Sequence, residues 1–258
     1  MKAKIFLTLG LLLVALVSAV VHLPAALVAK YVPFPSGIKL SGVSGSVWRG
    51  EAANLQISSR ELGKVALGKI LWKVEPGSLL SGKLSAQFRF GEQSSIQARG
   101  KGVVTASFNS VGVEQFSLSM PARSLSPWIT TPVPVTLDGN VSLFVSDYQF
   151  SGKLFCQNLD GQLNWQQASA EVMANRLDLG EASAVLGCQN QQLVAKTTQK
   201  SEQVSSEFSL NLSAPNRFSL SGWLTPNSGL PDSFRQQLHW LGSPDAQNHY
   251  QIKQNGRL

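Results

Sequence analysis

Apolar positions along the chain follow two different patterns. Residues 5–21 read IFLTLGLLLVALVSAVV without a charge, after Lys2 and Lys4. At about 1.5 Å per residue such a helix is about 26 Å long, and continuation through the LPAALVA stretch to residue 29 covers the roughly 30 Å of a bilayer core. This predicts a membrane-directed helix. A cleaved signal peptide is the competing reading, with Val17-Ser18-Ala19 as its small-residue site. Apolar character continues past that site, which favours an uncleaved anchor. In both cases Lys2 and Lys4 hold the start in the cytoplasm, and the chain from Lys30 onward is delivered to the far side. In a bacterium that side is the periplasm.

Beyond residue 30 the pattern changes to period two, as in residues 65–74 (VALGKILWKV), 84–90 (LSAQFRF) and 133–137 (VPVTL). Apolar and polar side chains that alternate in this way occupy opposite faces of a half-buried strand. Further strands are predicted over 103–108, 114–120, 141–145, 149–155, 159–165, 193–198, 207–212 and 218–224. Their short connections imply antiparallel neighbours. One short helix is predicted over 232–241, where Asp232 or Ser233 can cap and Phe234, Leu238 and Leu241 share a face. The fold class is therefore mainly β: an N-terminal transmembrane helix, then a curved antiparallel sheet or sheets, then a short helix near the C-terminus.

A small theme recurs: an apolar residue, Ser or Asp, Gly, any residue, then an apolar residue. It is centred on Gly45, Gly82, Gly139, Gly152, Gly161 and Gly222. Its irregular spacing excludes a fixed-period repeat array, and each glycine is expected to turn or bend a strand. A Gly-bent sheet offers an apolar face that serves as core, or that holds a lipid or a partner strand. The prolines and hydroxyl residues of 124–134 (SLSPWITTPVP) suggest a division. The expected regions are 1–30 as cytoplasmic start and anchor, 31–123 as a membrane-proximal basic β region, 124–134 as connection and 135–258 as a disulfide-bearing β region.

Charge sharpens this division. The 258-residue chain has net charge +7, but Lys and Arg number 13 against four acids through Lys101, and nine against 11 afterwards. The basicity belongs to the membrane-proximal part, so an overall basic pI is a poor argument for nucleic-acid binding. Lys39, Arg49, Arg60, Lys64, Lys69, Lys73 and Lys83 can meet anionic headgroups or an acidic neighbour. A solvated face opposite the core explains them more simply.

Cys156 and Cys188 are the only cysteines. They suit an oxidising compartment and a structural disulfide, because a redox motif would need C-x-x-C spacing. His22, His239 and His249 are scattered, and no metalloprotease, nucleophile-elbow or P-loop motif occurs. No catalytic, cofactor-binding or metal-binding residue is assigned. Trp48, Trp72, Trp165 and Trp223 are expected to be buried in strands with each indole N–H on a carbonyl.

The order of several stretches carries a family resemblance. These are 40–48 (LSGVSGSVW), 76–84 (PGSLLSGKL), 131–143 (TPVPVTLDGNVSL), Cys156 with 159–165 (LDGQLNW), Cys188, and the ending 238–245 (LHWLGSPD) through Tyr250 and Gly256. The chain resembles the type II secretion system protein N family over nearly its whole length. One departure is Asn248, where a glycine is expected; Asn also tolerates left-handed backbone. The resemblance implies a non-enzymatic, single-pass inner-membrane accessory of the machine that exports folded proteins from the periplasm across the outer membrane. Its implied partners are other inner-membrane platform proteins and membrane lipid, with no nucleic acid and no cofactor. The family is also similar in style to AsmA-like curved β proteins, which makes a lipid-binding or lipid-transfer groove the alternative.

Overall fold

The computed structural model describes residues 2–31, 37–59, 63–128, 134–151, 155–172, 175–213 and 217–257. The chain opens with α1 (Lys2–Val21) and α2 (Ala25–Tyr31). Pro24, which has no N–H to donate and crowds the preceding turn, separates them and forms an isolated bridge with Ser46. The backbone of α1 is helical over 20 residues. Its side chains are described without interruption only over 9–21, and among the described residues no helix is long and apolar enough to cross a membrane.

All the strands form one sheet. They are β1 (Ile38–Gly45), β2 (Arg49–Ser59), β3 (Gly63–Glu75), β4 (Leu84–Glu92), β5 (Arg99–Ala106), β6 (Val111–Pro121), β7 (Val135–Phe150), β8 (Asn158–Val172), β9 (Asn175–Gln189), β10 (Gln192–Lys200), β11 (Val204–Ser213), β12 (Arg217–Pro226) and β13 (Tyr250–Arg257). Their spatial order is their chain order, each antiparallel to the next. The division at 124–134 falls between β6 and β7, which pair directly in this sheet.

Register shifts interrupt the pairings of β2 with β3, β3 with β4, β5 with β6, β7 with β8 and β8 with β9. Such bulges bend and twist a strand locally. At the bulge of β7, Gly139 has φ +101°, and a Cβ there would lie 2.4 Å from the Gln166 carbonyl oxygen. Among the theme glycines Gly45, Gly82 and Gly139 have positive φ. Gly161 and Gly222 lie in β8 and β12 instead, where close neighbours require the missing side chain. Gly152 lies outside the described residues.

With one layer, the core is thin. Its fully buried members are mostly Ala and Val, and the largest are Val204 and Cys156. One cluster joins Val145, Cys156 and Leu159 to Phe116, Leu143, Tyr148, Leu186, Cys188 and Leu193. At the first strands α2 provides local cover, flanking an open apolar groove of about 300 Å³ lined by Ala25, Val28, Ala29, Leu40, Val43, Val47 and Trp72.

Several expectations are corrected. The strand predicted over 149–155 ends at Phe150, where the chain leaves β7. The helix predicted over 232–241 divides into α3 (Asp232–Arg235) and a 3₁₀ turn (Leu238–Leu241). Pro231 stands at the cap of α3 and no side chain caps it, so neither Asp232 nor Ser233 does so. The four tryptophans are half-buried rather than buried, because no second layer covers them.

The close approach at Gly222 makes a specific prediction. A Cβ there would meet the Glu207 carbonyl oxygen at 2.1 Å and the Phe208 ring at 2.5 Å, whereas at Gly77 nothing lies within 4 Å. Gly222→Ala should lower stability by about 1–3 kcal/mol through overpacking, and Gly77→Ala should leave it nearly unchanged. Urea unfolding of the two variants checks this.

Candidate interaction surfaces

Antiparallel partners point to the same face, so register defines the two faces. On one face Gly50, Trp72, Phe88 and Gly102 are successive partners. The row resumes at Phe116 and continues through Val145, Gly161, Leu186, Ala195, Leu210 and Leu220. This face is apolar across at least ten strands. Its aromatics cover its glycines: the Trp72 ring stands 2.5 Å from where a Gly50 Cβ would be, and the Phe90 ring 2.5 Å from that of Gly100. Phe88 stacks on Phe90 and Phe116, with centroids 6.4 and 6.1 Å apart. Most of these residues stay half-buried, which leaves the face partly open.

The opposite face is polar. Arg49, Lys73 and Gln87 are partners on it, as are Arg89 and Lys101. They line a groove of about 520 Å³. Lys69 sits 2.8 Å from Glu51. This contact holds the Glu51 carboxyl below its usual range and the Lys69 ammonium above its own. Lys39 and Lys64 pair with Gln56 and Ser58, while Arg60 lies outside the described residues. Arg89 and Lys101 join Arg49 and Lys73 in the groove although they are distant in sequence; only strand register brings them together. Farther along, Asn164, Ser183, Thr198, Glu207 and Trp223 line a second groove of about 710 Å³.

Three indoles donate to carbonyls as expected, although Trp48 lies in the β1–β2 connection and not in a strand. Trp48 Nε1 donates to the Val20 carbonyl (2.8 Å), Trp72 Nε1 to Val47 (3.1 Å) and Trp165 Nε1 to Asp138 (2.9 Å). Trp223 differs, stacking on the His249 ring at 4.1 Å. His239 lies instead beside Trp240. Among the described residues no group of three or more His, Cys, Asp or Glu side chains could hold a metal ion.

Cys156 and Cys188 are joined as a disulfide, with Cα atoms 5.7 Å apart. It links the start of β8 to the end of β9 beside the buried cluster. Tyr148 reaches over this site, its hydroxyl donating to the Phe155 carbonyl (2.9 Å), and burial raises its pKa. At the chain end the Asp245 carboxylate accepts from the backbone N–H groups of Gln247 and His249 and from the Gln251 amide. Those hydrogen bonds, led by the one from His249, lower its pKa. Asn248 in this turn has φ +64°.

The arrangement defines a class: a one-layer β protein whose distinctive features are two chemically different faces. The family model described as type II secretion system (T2SS), protein N matches residues 36–253. Type II secretion system protein N of Vibrio cholerae is 38% identical over 245 residues, 95% of each chain. That of Aeromonas hydrophila is 33% identical over the whole of both chains, and that of Klebsiella pneumoniae 28% over 93% of this chain and 92% of its own. No solved structure matches. The chain belongs to the type II secretion system protein N family and is thus similar throughout to components of that machine.

Two outcomes follow from these sites. Replacing both Cys156 and Cys188 with Ala should lower stability by about 3–4 kcal/mol on the chain-entropy account of a loop this long, seen as a lower urea midpoint without reductant. Asn248→Val should cost about 1–2 kcal/mol at left-handed backbone, and Asn248→Gly should be tolerated; thermal unfolding distinguishes the two.

Proposed function

We propose that this protein is a non-enzymatic accessory of the type II secretion system, anchored in the bacterial inner membrane by a single uncleaved pass. Its N-terminus is cytoplasmic, its sheet is periplasmic, and it takes part in exporting folded proteins across the outer membrane. The observation that carries this reading is the full-length similarity to type II secretion system protein N. The anchor is supported by the charge-free run 5–21 within α1. From Phe6 to Val21 every described residue of α1 is exposed, with Leu7 at 68% and Leu12 at 67%. A helix apolar on all sides calls for lipid or another apolar helix around it. The basic groove of region 31–123 and the polar groove of region 135–258 give the sheet two contact areas of different charge, suited to different platform proteins.

The second reading, a lipid-binding or lipid-transfer sheet, is favoured by the half-open apolar face running from Trp72 to Leu220. Native mass spectrometry of the purified full chain bears on it: a co-purified lipid supports it, and its absence argues for core alone.

For the main reading, a deletion strain should lose release of type II substrates and regain it with the full chain. Crosslinking in cells from positions on the basic groove should enrich other platform proteins. Normal release together with no enrichment would overturn the proposal.

A further inference from the structure

The exit of α1 lies at one end of the sheet. Trp48 Nε1 donates to Val20, Val47 N–H donates to Leu23, and Pro24 bridges Ser46; these residues lie in or beside the β1–β2 connection. In a meander of antiparallel hairpins every second connection returns to that same end. Here these are residues 76–83, 107–110, 151–157, 190–191 and 214–216, of which 152–154 and 214–216 lie outside the described residues. The first three carry exposed apolar side chains: Leu80 is 95% exposed, Leu79 48%, Phe108 103% and Phe155 41%.

Folding does not account for them. Phe108 occupies a tight turn closed by the Ser107 N–H on the Ser110 carbonyl (2.8 Å), a place where Gly, Asn or Asp is usual. Leu79 and Leu80 project from the 3₁₀ turn Pro76–Ser81, held by Ser78 Oγ donating to Glu75 (2.6 Å) and Ser81 Oγ donating to Ser78 (2.7 Å). These serine bonds fix a turn whose leucines stay in solvent. The tips at the opposite end are polar, with Gln93, Ser94, Ser95 and Gln97 after β4 and Ser201, Glu202 and Gln203 after β10. Trp240 and Leu241 are the exposed large apolar pair there among the described residues.

Charge at the anchor end is basic beside the first tip, whereas Glu114, Asp147 and Asp160 stand in register on β6, β7 and β8 behind the tips of Phe108 and Phe155. Arg49 and Lys73 stand directly opposite one another across β2 and β3. Like charges so placed repel unless an anion lies nearby. Lys83 follows the 3₁₀ turn and is exposed. Glu75, the acid of this corner, accepts from the Gln87 amide (2.7 Å).

We propose that the hairpin tips bearing Leu79, Leu80, Phe108 and Phe155 dip into the headgroup region of the bilayer that holds α1, seating the sheet end-on with its basic corner at Arg49, Lys73 and Lys83 toward anionic headgroups. Apolar side chains beside a basic corner, as at Leu79 and Leu80, are the usual chemistry of interfacial insertion. The inference rests on the reading of α1 as a membrane anchor, and its test separates the two.

The described cysteines are all in the disulfide, so one introduced cysteine gives one labelling site. Full-length Leu80→Cys, Phe108→Cys, Leu12→Cys and Val185→Cys variants would each carry a nitroxide. They are reconstituted without reductant into nanodiscs of phosphatidylethanolamine and phosphatidylglycerol. The ratio of oxygen to nickel-chelate accessibility reads lipid against water. At 80 and 108 it should rise toward the value at 12, and it should stay low at 185, which is 62% exposed on the polar face. Water-like values at 80 and 108 with a lipid-like value at 12 overturn the docking proposal and leave the anchor standing. A water-like value at 12 overturns the anchor, and lipid-like values at 80 and 108 would then still uphold the docking. In nanodiscs lacking phosphatidylglycerol the ratio at 80 should fall; an unchanged ratio there would overturn the anionic preference.

Discussion

Among the described residues thirteen strands lie in one sheet with nothing broad to pack against, and the rest of the structure answers to that constraint. A sheet normally buries its apolar face on a second layer. Here α2 covers only the first strands, so apolar side chains must shield one another along the sheet surface. Aromatic rings laid over glycines do this at Gly50, Gly100 and Gly222. The glycine gives up side-chain contact, and the neighbouring ring gains backbone to lie on. Fully buried residues are consequently small, and the disulfide sits where the cluster around Val145 and Leu159 is densest.

The same constraint separates the surfaces. Because every connection is local, register alone decides which distant residues share a face. It joins Arg49 and Lys73 to Arg89 and Lys101 on one side while Trp72, Phe88 and Phe116 gather on the other. What the fold offers is faces and tips. That agrees with membership of a family of secretion components.

Much of this was legible in the sequence. Period-two alternation located β3 to β8 and β10 to β12, and the ordered stretches led to the family. Two of the missed strands, β2 and β9, change apolar phase at a register shift. In β9 the apolar phase runs Leu177 and Leu179, then shifts to Ala182, Ala184 and Leu186 across Gly180, which has φ +64°. The bulge restores the face that the alternation loses, so a strict period-two pattern fails there. In β2 the phase likewise moves between Ala52 and Leu55. Phe108 was read as the end of a strand because alternation cannot mark where a hairpin turns. The C-terminal segment 232–241 has helical spacing but lacks a side-chain cap, and it breaks after one turn.

The junction between α1 and the sheet decides how such surfaces are used. A flexible linker of glycines and serines would let the sheet swing freely below its helix. Instead the end of α1 and the residues just after it are tied to the first hairpin: Val20 and Leu23 accept hydrogen bonds from Trp48 and Val47, and Pro24 bridges Ser46. Trp72 then donates to Val47, carrying the tie to β3. Hydrogen bonds at several successive positions fix direction as well as distance, whereas one contact would fix only distance. Orientation set in this way presents the basic groove of β2 to β5 beside the helix and carries later strands progressively away from it. The local, hairpin-by-hairpin order of the chain thus becomes a spatial order, with basic strands beside the helix, acidic side chains gathered in β7 to β9, and Arg217, Lys253 and Arg257 on β12 and β13 at the far edge.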